Sequence, residues 1–113
     1  MNLNVTRVKI VVFCLESDIE KIRNSICKLG AGIIGNYTCC SSFSDVTGTF
    51  LPNEEADPYI GEKNKLEFTA EKRFEIICDV NIVKDVLFEI RKNHSYEEPE
   101  IDIYPLLDEN SFL

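Results

Sequence analysis

The only histidine in the chain is followed closely by two glutamates, in the segment His94-Ser95-Tyr96-Glu97-Glu98-Pro99. An imidazole and two carboxylates within four residues can hold a divalent metal ion, and a neighbouring carboxylate can raise the pKa of the imidazole. One short turn rarely closes a coordination shell without help from another chain. We expect His94, Glu97 and Glu98 either to bind a divalent metal or to be structural, with His94 capping a helix and the carboxylates accepting N–H groups of the turn.

The cysteines do not form a second reactive group. An odd count without a C-x-x-C pair argues against a disulfide framework or a zinc site, so we expect reduced, mostly buried thiols. Adjacent cysteines on a strand would point to opposite faces and could not share a metal. No Ser-His-Asp pattern, P-loop or HExxH motif is present, and we predict no catalytic residue. The five cysteines are Cys14, Cys27, Cys39, Cys40 and Cys78.

The glycines at positions 30, 32 and 35 match the letters of the dinucleotide-binding fingerprint G-x-G-x-x-G. That fingerprint must follow a strand and open a helix, so that backbone N–H groups face a pyrophosphate. Here the segment follows a predicted helix and leads into a strand. We therefore interpret Gly30 as a left-handed helix cap followed by a turn, with no cofactor phosphate bound there.

Charge and hydropathy narrow the classes of partner. The chain has 12 basic and 20 acidic residues among 113, a formal net charge of −8, which argues against nucleic acid and against anionic membrane surfaces. No apolar run approaches the roughly 20 residues of a spanning helix, and the amino terminus does not resemble a secretory signal. We expect one cytoplasmic domain over residues 1–113, with a core at about 5–107 and a loose tail at 108–113.

The first half of the chain predicts a strand, a helix and a hairpin. Residues 5–14 are apolar on both faces in their second half, which indicates a central strand. The pattern Ser17-Asp18-Ile19-Glu20 predicts a capping box at a helix start. Residues 37–43 and 47–51 predict two strands joined by a turn, and Gly48 indicates a bulge or a close backbone approach.

The second half predicts a loop, a strand, a helix and an edge strand. We interpret residues 52–61 as a solvated acidic loop rather than a calcium loop, anchored by Tyr59 and Ile60. Residues 66–80 alternate as a third main strand, and Asn81 is a predicted cap of the second helix. The final strand lies between Pro99 and Pro105, and proline confines it to a sheet edge.

This order of elements predicts an α+β fold. Two amphipathic helices on one face of an antiparallel sheet favour a ferredoxin-like βαββαβ sandwich with an extra β-hairpin. The other face then carries Val11, Phe13 and Ile77. An open apolar surface of this kind favours association, so we expect a homo-oligomer.

Three stretches together resemble one family. They are Gly30 to Tyr37, then Thr47 to Pro52 with Pro58 to Gly61, and finally His94 to Pro99 with Asp102 to Pro105. Together they are similar to the YqfO-type domain of the Nif-three-like family, also labelled GTP cyclohydrolase I type 2 homologues, a domain that also occurs alone. Ser95 stands where that family commonly has proline. The resemblance implies a CutA- and PII-like fold and a trimer, since CutA and PII proteins are trimers and PII proteins bind small effectors between subunits.

The resemblance does not carry a reaction to this chain. The full-length relatives bind two metals through a different domain, which is missing here. We therefore expect a non-catalytic binding or regulatory module, with a cleft between subunits lined by Tyr37, Tyr59 and Tyr96 that takes a small molecule or a divalent metal ion. A small metal-assisted hydrolase and a protein-interaction adaptor that uses its edge strands are the alternatives.

Overall fold

A computed structural model describes residues 4–113 as one four-stranded antiparallel sheet with two helices. The strands lie in the order β2-β3-β1-β4. The predicted α+β class, the central positions of the first and third main strands and the edge position of the last strand are confirmed. The elements are β1 (Arg7–Cys14), α1 (Glu16–Cys27), β2 (Ser41–Phe50), β3 (Glu67–Asp79), α2 (Val83–Asn93) and β4 (Ile101–Leu106), with short 3-10 helices at Val80–Ile82 and Glu109–Phe112.

The core lies between the sheet and the two helices. The register of β1 with β3 places alternate apolar residues on one face, in the pairs Ile10↔Ile76 and Val12↔Phe74. The buried stripes of both helices cover that face with Ile19, Ile22, Ile26, Val86 and Ile90. The alternation of apolar residues in the strands and their three-to-four spacing in the helices therefore identify the residues that form the core. No helix in residues 4–113 is long and apolar enough to cross a membrane.

Both predicted amino-terminal helix caps are wrong. Helix α1 begins at Glu16, and neither helix has a side-chain hydrogen bond at its amino-terminal cap. Asp18 turns inward and accepts hydrogen bonds from Ser95 instead. A 3-10 turn over Val80–Ile82 precedes α2, so Asn81 does not cap it. In both places a tertiary contact or a backbone turn replaces the local capping pattern.

The predicted turn at residues 44–46 is also wrong, because β2 is one continuous strand. It pairs with β3 from Ser41↔Ile76 to Phe50↔Glu67. Asp45, which suggests a turn in the sequence, forms an ion pair with Lys72 of β3. Beyond the end of β1, residues 46–50 and 67–71 continue as a two-stranded ribbon, which takes the place of the predicted extra hairpin.

The expectation of five reduced cysteines is wrong for two of them. Cys27, the last residue of α1, is bonded to Cys39, with their Cα atoms 5.2 Å apart. Cys39 precedes β2 and has a left-handed backbone, with φ at +56°, so it does not lie on a strand. Cys14, Cys40 and Cys78 are free. The bond depends on how the loop 28–40 folds back onto the helix end, which spacing alone does not reveal.

Glycine is needed where that loop closes. Gly32 has φ at +82°, and a Cβ there would lie 2.8 Å from the backbone nitrogen of Cys40. The Cys40 N–H donates to the Gly32 carbonyl at 2.8 Å, and the Gly32 N–H donates to the Ile77 carbonyl at 2.8 Å. The glycine run thus ties the loop to the sheet by backbone contacts, as its interpretation as a turn predicts.

The helix-free face is less open than the sequence suggests. Val11 lies on this face and is fully buried within one chain, while Phe13 and Ile77 are partly exposed. The register partners of Val11 on the two neighbouring strands are Glu75 and Asp102. Charged and apolar side chains therefore share the face, and Val11 needs no second chain to cover it.

Candidate functional site

A groove of about 520 Å³ lies where the ribbon, the loop after β2 and the turn before β4 meet. Gly48 and Phe50 line it from the ribbon, Tyr59 from the loop, and Tyr96 from the turn. Phe13, at the end of β1, completes the aromatic lining. The rings of Phe50 and Tyr96 have their centroids 6.4 Å apart and are tilted by 48°. The groove therefore joins segments that are far apart in the sequence.

The polar lining of the groove is acidic. Its charged residues are all glutamates, and no Lys, Arg or His of the described chain contributes to the lining. They are Glu71, Glu97, Glu98 and Glu100. Burial raises the pKa of Glu100, and a hydrogen bond with Asp102 and that neighbour's charge raise it further. The site as a whole therefore repels anions.

Glu71 is the most deeply placed of these carboxylates, with only 8% of its surface exposed. Its Oε2 accepts a hydrogen bond of 2.6 Å from the hydroxyl of Tyr96. Burial, followed by this hydrogen bond and the Glu71 charge, raises the pKa of Tyr96, which keeps the phenol protonated as the donor. Gly48 has no Cβ, and the Glu71 carboxylate occupies that space, so the close approach predicted at Gly48 is confirmed.

His94 is the carboxy-terminal cap residue of α2 and is nearly buried, with 8% exposed. Its Nε2 lies 2.8 Å from the Phe13 carbonyl oxygen, and its Nδ1 accepts the Tyr96 N–H at 3.1 Å. Because Nδ1 is the acceptor, Nε2 carries the proton and donates to Phe13. The imidazole thus joins α2, β1 and the turn that carries Tyr96.

The structure does not assemble His94, Glu97 and Glu98 into a ligand set. Both ring nitrogens of His94 have partners, and the Glu97 carboxylate accepts the Asp57 N–H at 3.0 and 3.3 Å. Within residues 4–113, no group of three or more His, Cys, Asp or Glu side chains is placed to hold a metal. Glu97 instead ties the loop after β2 to the turn before β4.

The three tyrosines of the predicted cleft separate into two groups. Tyr59 and Tyr96 line the groove, whereas Tyr37 is 75% exposed in the loop before β2 and is not part of the lining. Tyr59 is 64% exposed and so offers a ring face to a ligand or a second chain. The lining also includes Phe13, Phe50 and Glu71, for which the sequence predicts no role in a site.

The capping-box pattern in the sequence also assigns the wrong role to Asp18. It is 1% exposed and accepts hydrogen bonds from the Ser95 N–H at 2.9 Å and the Ser95 hydroxyl at 2.8 Å. Burial alone would raise its pKa, but these two hydrogen bonds and the nearby Lys21 hold the pKa below its usual value. The position of Asp18 next to the buried isoleucine stripe of α1 is the one feature of the sequence that could have indicated its burial. Asp18 fastens the His94 to Glu100 turn onto α1.

The two buried free thiols, Cys14 and Cys78, have pKa values shifted away from the thiolate form. Burial, together with the charges of Asp18 and Glu71, raises the pKa of Cys14 to about 12. Burial and the charge of Asp79 raise that of Cys78 to about 11. A nucleophilic cysteine needs the opposite shift, toward the thiolate.

Comparisons of the sequence with known proteins lead to one group of bacterial proteins. No protein-family model matches the chain. A protein named GTP cyclohydrolase 1 type 2 homolog from Halalkalibacterium halodurans is 40% identical over 105 residues, which are 93% of this chain and 28% of the relative. A crystal structure of a Bacillus cereus protein related to NIF3 is 34% identical, with a TM-score of 0.79, over 94% of this chain and 27% of that protein. The chain is homologous to one segment of these Nif-three-like proteins.

The Nif-three-like match extends along nearly the whole chain, which spans about a quarter of the length of these relatives. Two further solved structures share the fold at low identity. CutA from Archaeoglobus fulgidus is 17% identical with a TM-score of 0.66, over 88% of this chain and 83% of its own. A Bacillus subtilis GlnK–ATP complex is 15% identical with a TM-score of 0.60, over 89% and 83%. The resemblance to Nif-three-like proteins and the CutA- and PII-like fold are therefore confirmed.

Proposed function

We propose that this chain is a non-catalytic binding or regulatory module, assembled as a homo-oligomer with a trimer favoured, that holds a small ligand in the groove. The groove carries the proposal, because its volume of about 520 Å³ is within the range of small-molecule sites, roughly 300–1,000 Å³. The protonated Cys14 thiol and the doubly engaged His94 argue against nucleophilic or acid–base chemistry there. Homology to Nif-three-like proteins supports a small binding or regulatory module.

The free edge of β2 supports self-association. Among residues 4–113 this strand pairs with β3 alone, and its ten residues contain neither proline nor lysine. Natural proteins block such edges with proline, with lysine or by covering them. The opposite edge, β4, carries Pro105 and is only six residues long. Of the two sheet edges, β2 is therefore the better suited to pair with a strand of another chain.

Exposed aromatic residues on β2 and β3 support the same conclusion. Phe43 is 53% exposed and Phe68 is 63% exposed, and the strand register places both on the sheet face that carries the helices. Phe68 lies on the ribbon, which reaches beyond β1, and Phe43 lies on the same face of β2 nearer the helices. A second copy of the chain packed against this part of β2 and β3 would bury both rings.

We expect light scattering to give a mass three times that of the 12.9 kDa chain at micromolar concentration. Phe68→Glu places a charge at the proposed contact and is expected to shift the mass to a single chain, because an unpaired charge is costly to bury. Phe88→Glu is the matched control, since Phe88 is 68% exposed on α2 and lies away from the ribbon. A single-chain mass for the unmodified protein would contradict the assembly and favour an adaptor that binds a different protein at this edge.

A second candidate function is that of a metal-dependent protein, with a divalent metal ion bound by His94, Glu97 and Glu98. Their partners within one chain would have to be released, or a neighbouring chain would have to supply ligands. Elemental analysis of untagged protein tests this directly. One metal per chain together with turnover of a phosphoester would support a metal-assisted hydrolase and overturn the non-catalytic proposal.

A cytoplasmic location is also part of the proposal, and cell fractionation tests it.

A further inference from the structure

We propose that the groove binds an organic cation, an ammonium or guanidinium group carried on an apolar body. The proposal rests on the function above, because it names the ligand class of the same groove. Three observations carry it: the sign of the lining charges, the burial of Glu71, and the aromatic walls. The first argues against a nucleotide, the second favours a positive ligand, and the third argues against a bare metal ion.

The sign of the charge excludes a nucleotide. All four charged residues of the lining are glutamates. A phosphate group requires N–H donors and positive charge, which this surface does not provide. The fold neighbour GlnK forms a complex with ATP, but at 15% identity that likeness is one of fold alone. The chemistry of this groove is the opposite of a phosphate site.

The buried carboxylate of Glu71 calls for a positive partner. Within residues 4–113 Glu71 forms no ion pair, and its one hydrogen bond comes from the neutral hydroxyl of Tyr96 at Oε2. Its Oε1 lies beside Gly48, accepts no hydrogen bond from the described residues and is not sealed from solvent. A largely buried carboxyl group without a counter-charge would gain from a cation in the groove.

The aromatic walls favour an organic cation over a bare metal ion. Phe13, Phe50, Tyr59 and Tyr96 provide ring faces that attract ammonium and guanidinium groups, whereas metals such as Ca²⁺ need a shell of oxygen ligands. The chain already shows the preference, since the Arg73 guanidinium lies 5.9 Å from the centre of the Phe13 ring. Arg73 is itself paired with Glu75 at 2.9 Å, so its charge is compensated.

The test uses phenyltrimethylammonium as the probe and titrates it into the full chain by calorimetry. We expect one probe per chain, with binding at least tenfold tighter than that of tert-butylbenzene, the neutral molecule of the same shape. Equal binding of the two would overturn the proposal, as would tighter binding of ATP or of Mg²⁺, Ca²⁺ or Zn²⁺ in the same experiment.

Variants locate the site. Glu71→Gln keeps the shape but removes the charge and is expected to weaken probe binding at least tenfold, while Glu20→Gln, on the exposed side of α1, leaves binding unchanged. If Glu71→Gln does not fold, Tyr59→Leu provides a second variant, because that ring is 64% exposed, and a threefold loss is expected. Unchanged binding in a folded variant would overturn the assignment.

The outcomes separate this inference from the proposed function. A trimer that binds neither the probe nor any other organic cation would reject the ligand class and leave the oligomeric module standing. A single chain that binds the probe through Glu71 would support the ligand class and reject the assembly.

Discussion

Loss of the Cys27–Cys39 bond is expected to lower the free energy of unfolding by about 3 kcal/mol in oxidising buffer. The two cysteines are 12 residues apart, and closing a loop of that length removes about this much entropy from the unfolded chain. The melting temperature should fall by roughly 10–15 °C. Because Cys40 is adjacent and free, it could replace Cys39, so the change is made as Cys39→Ser in a Cys40→Ser background.

The Cys40→Ser protein is also the control. Cys40 is only partly buried and forms no bond, so this substitution alone should change the stability by less than about 0.5 kcal/mol. A thiol reductant should bring the control down to the stability of the double variant, since both then have open loops. Equal melting temperatures in the oxidising buffer would show that the bond does not stabilise the fold. Disulfides are rare in the cytoplasm, where the bond would form only transiently.

Asp18→Asn is expected to destabilise the fold by about 2 kcal/mol at pH 7, because it removes a charged acceptor of two buried hydrogen bonds from Ser95. The pKa of Asp18 is lowered in the folded state, so its contribution is complete above its unfolded pKa of about 3.9. That contribution is lost as the pH falls through the lower, folded pKa. The difference between the two proteins should therefore shrink as the pH falls below about 4.

Urea unfolding at pH 7, 5 and 3 measures this dependence. The matched control is Asp85→Asn, since Asp85 is also in the first turn of a helix but is exposed. Its effect should stay below about 0.5 kcal/mol at all three pH values. A destabilisation by Asp18→Asn that is as large at pH 3 as at pH 7 would contradict the assigned ionisation.

The architecture could be predicted because its patterns are local. A run that is apolar on both faces indicated the central strand β1, and Pro105 indicated the edge strand β4, as the sheet order confirms. The turn predicted at 44–46 was wrong because Ser44 and Asp45 are turn-forming residues that here lie on the exposed surface of a strand. Cross-strand pairing with β3, including Asp45 with Lys72, outweighs the local turn preference.

The candidate site was predicted only in part. Of the residues that the sequence singles out, Tyr59, Tyr96, Glu97 and Glu98 line the groove, whereas His94 and Tyr37 do not. The sequence could not reveal that the His94 nitrogens are already engaged or that Glu97 holds the Asp57 N–H. Those contacts join residues up to 81 positions apart, and no spacing rule covers such a distance.

The sequence by itself determined the class of the fold, the core residues and the acidic character of the chain, because alternation, helical spacing and charge are properties of neighbouring residues. Only the tertiary structure decided that Glu71 lies buried against Gly48 and Tyr96, that Asp18 accepts hydrogen bonds from Ser95, and that Cys27 forms a disulfide with Cys39. Each of these contacts forms when segments distant in the sequence pack together, and burial then gives a carboxylate or a thiol a role that its neighbours in the chain do not indicate.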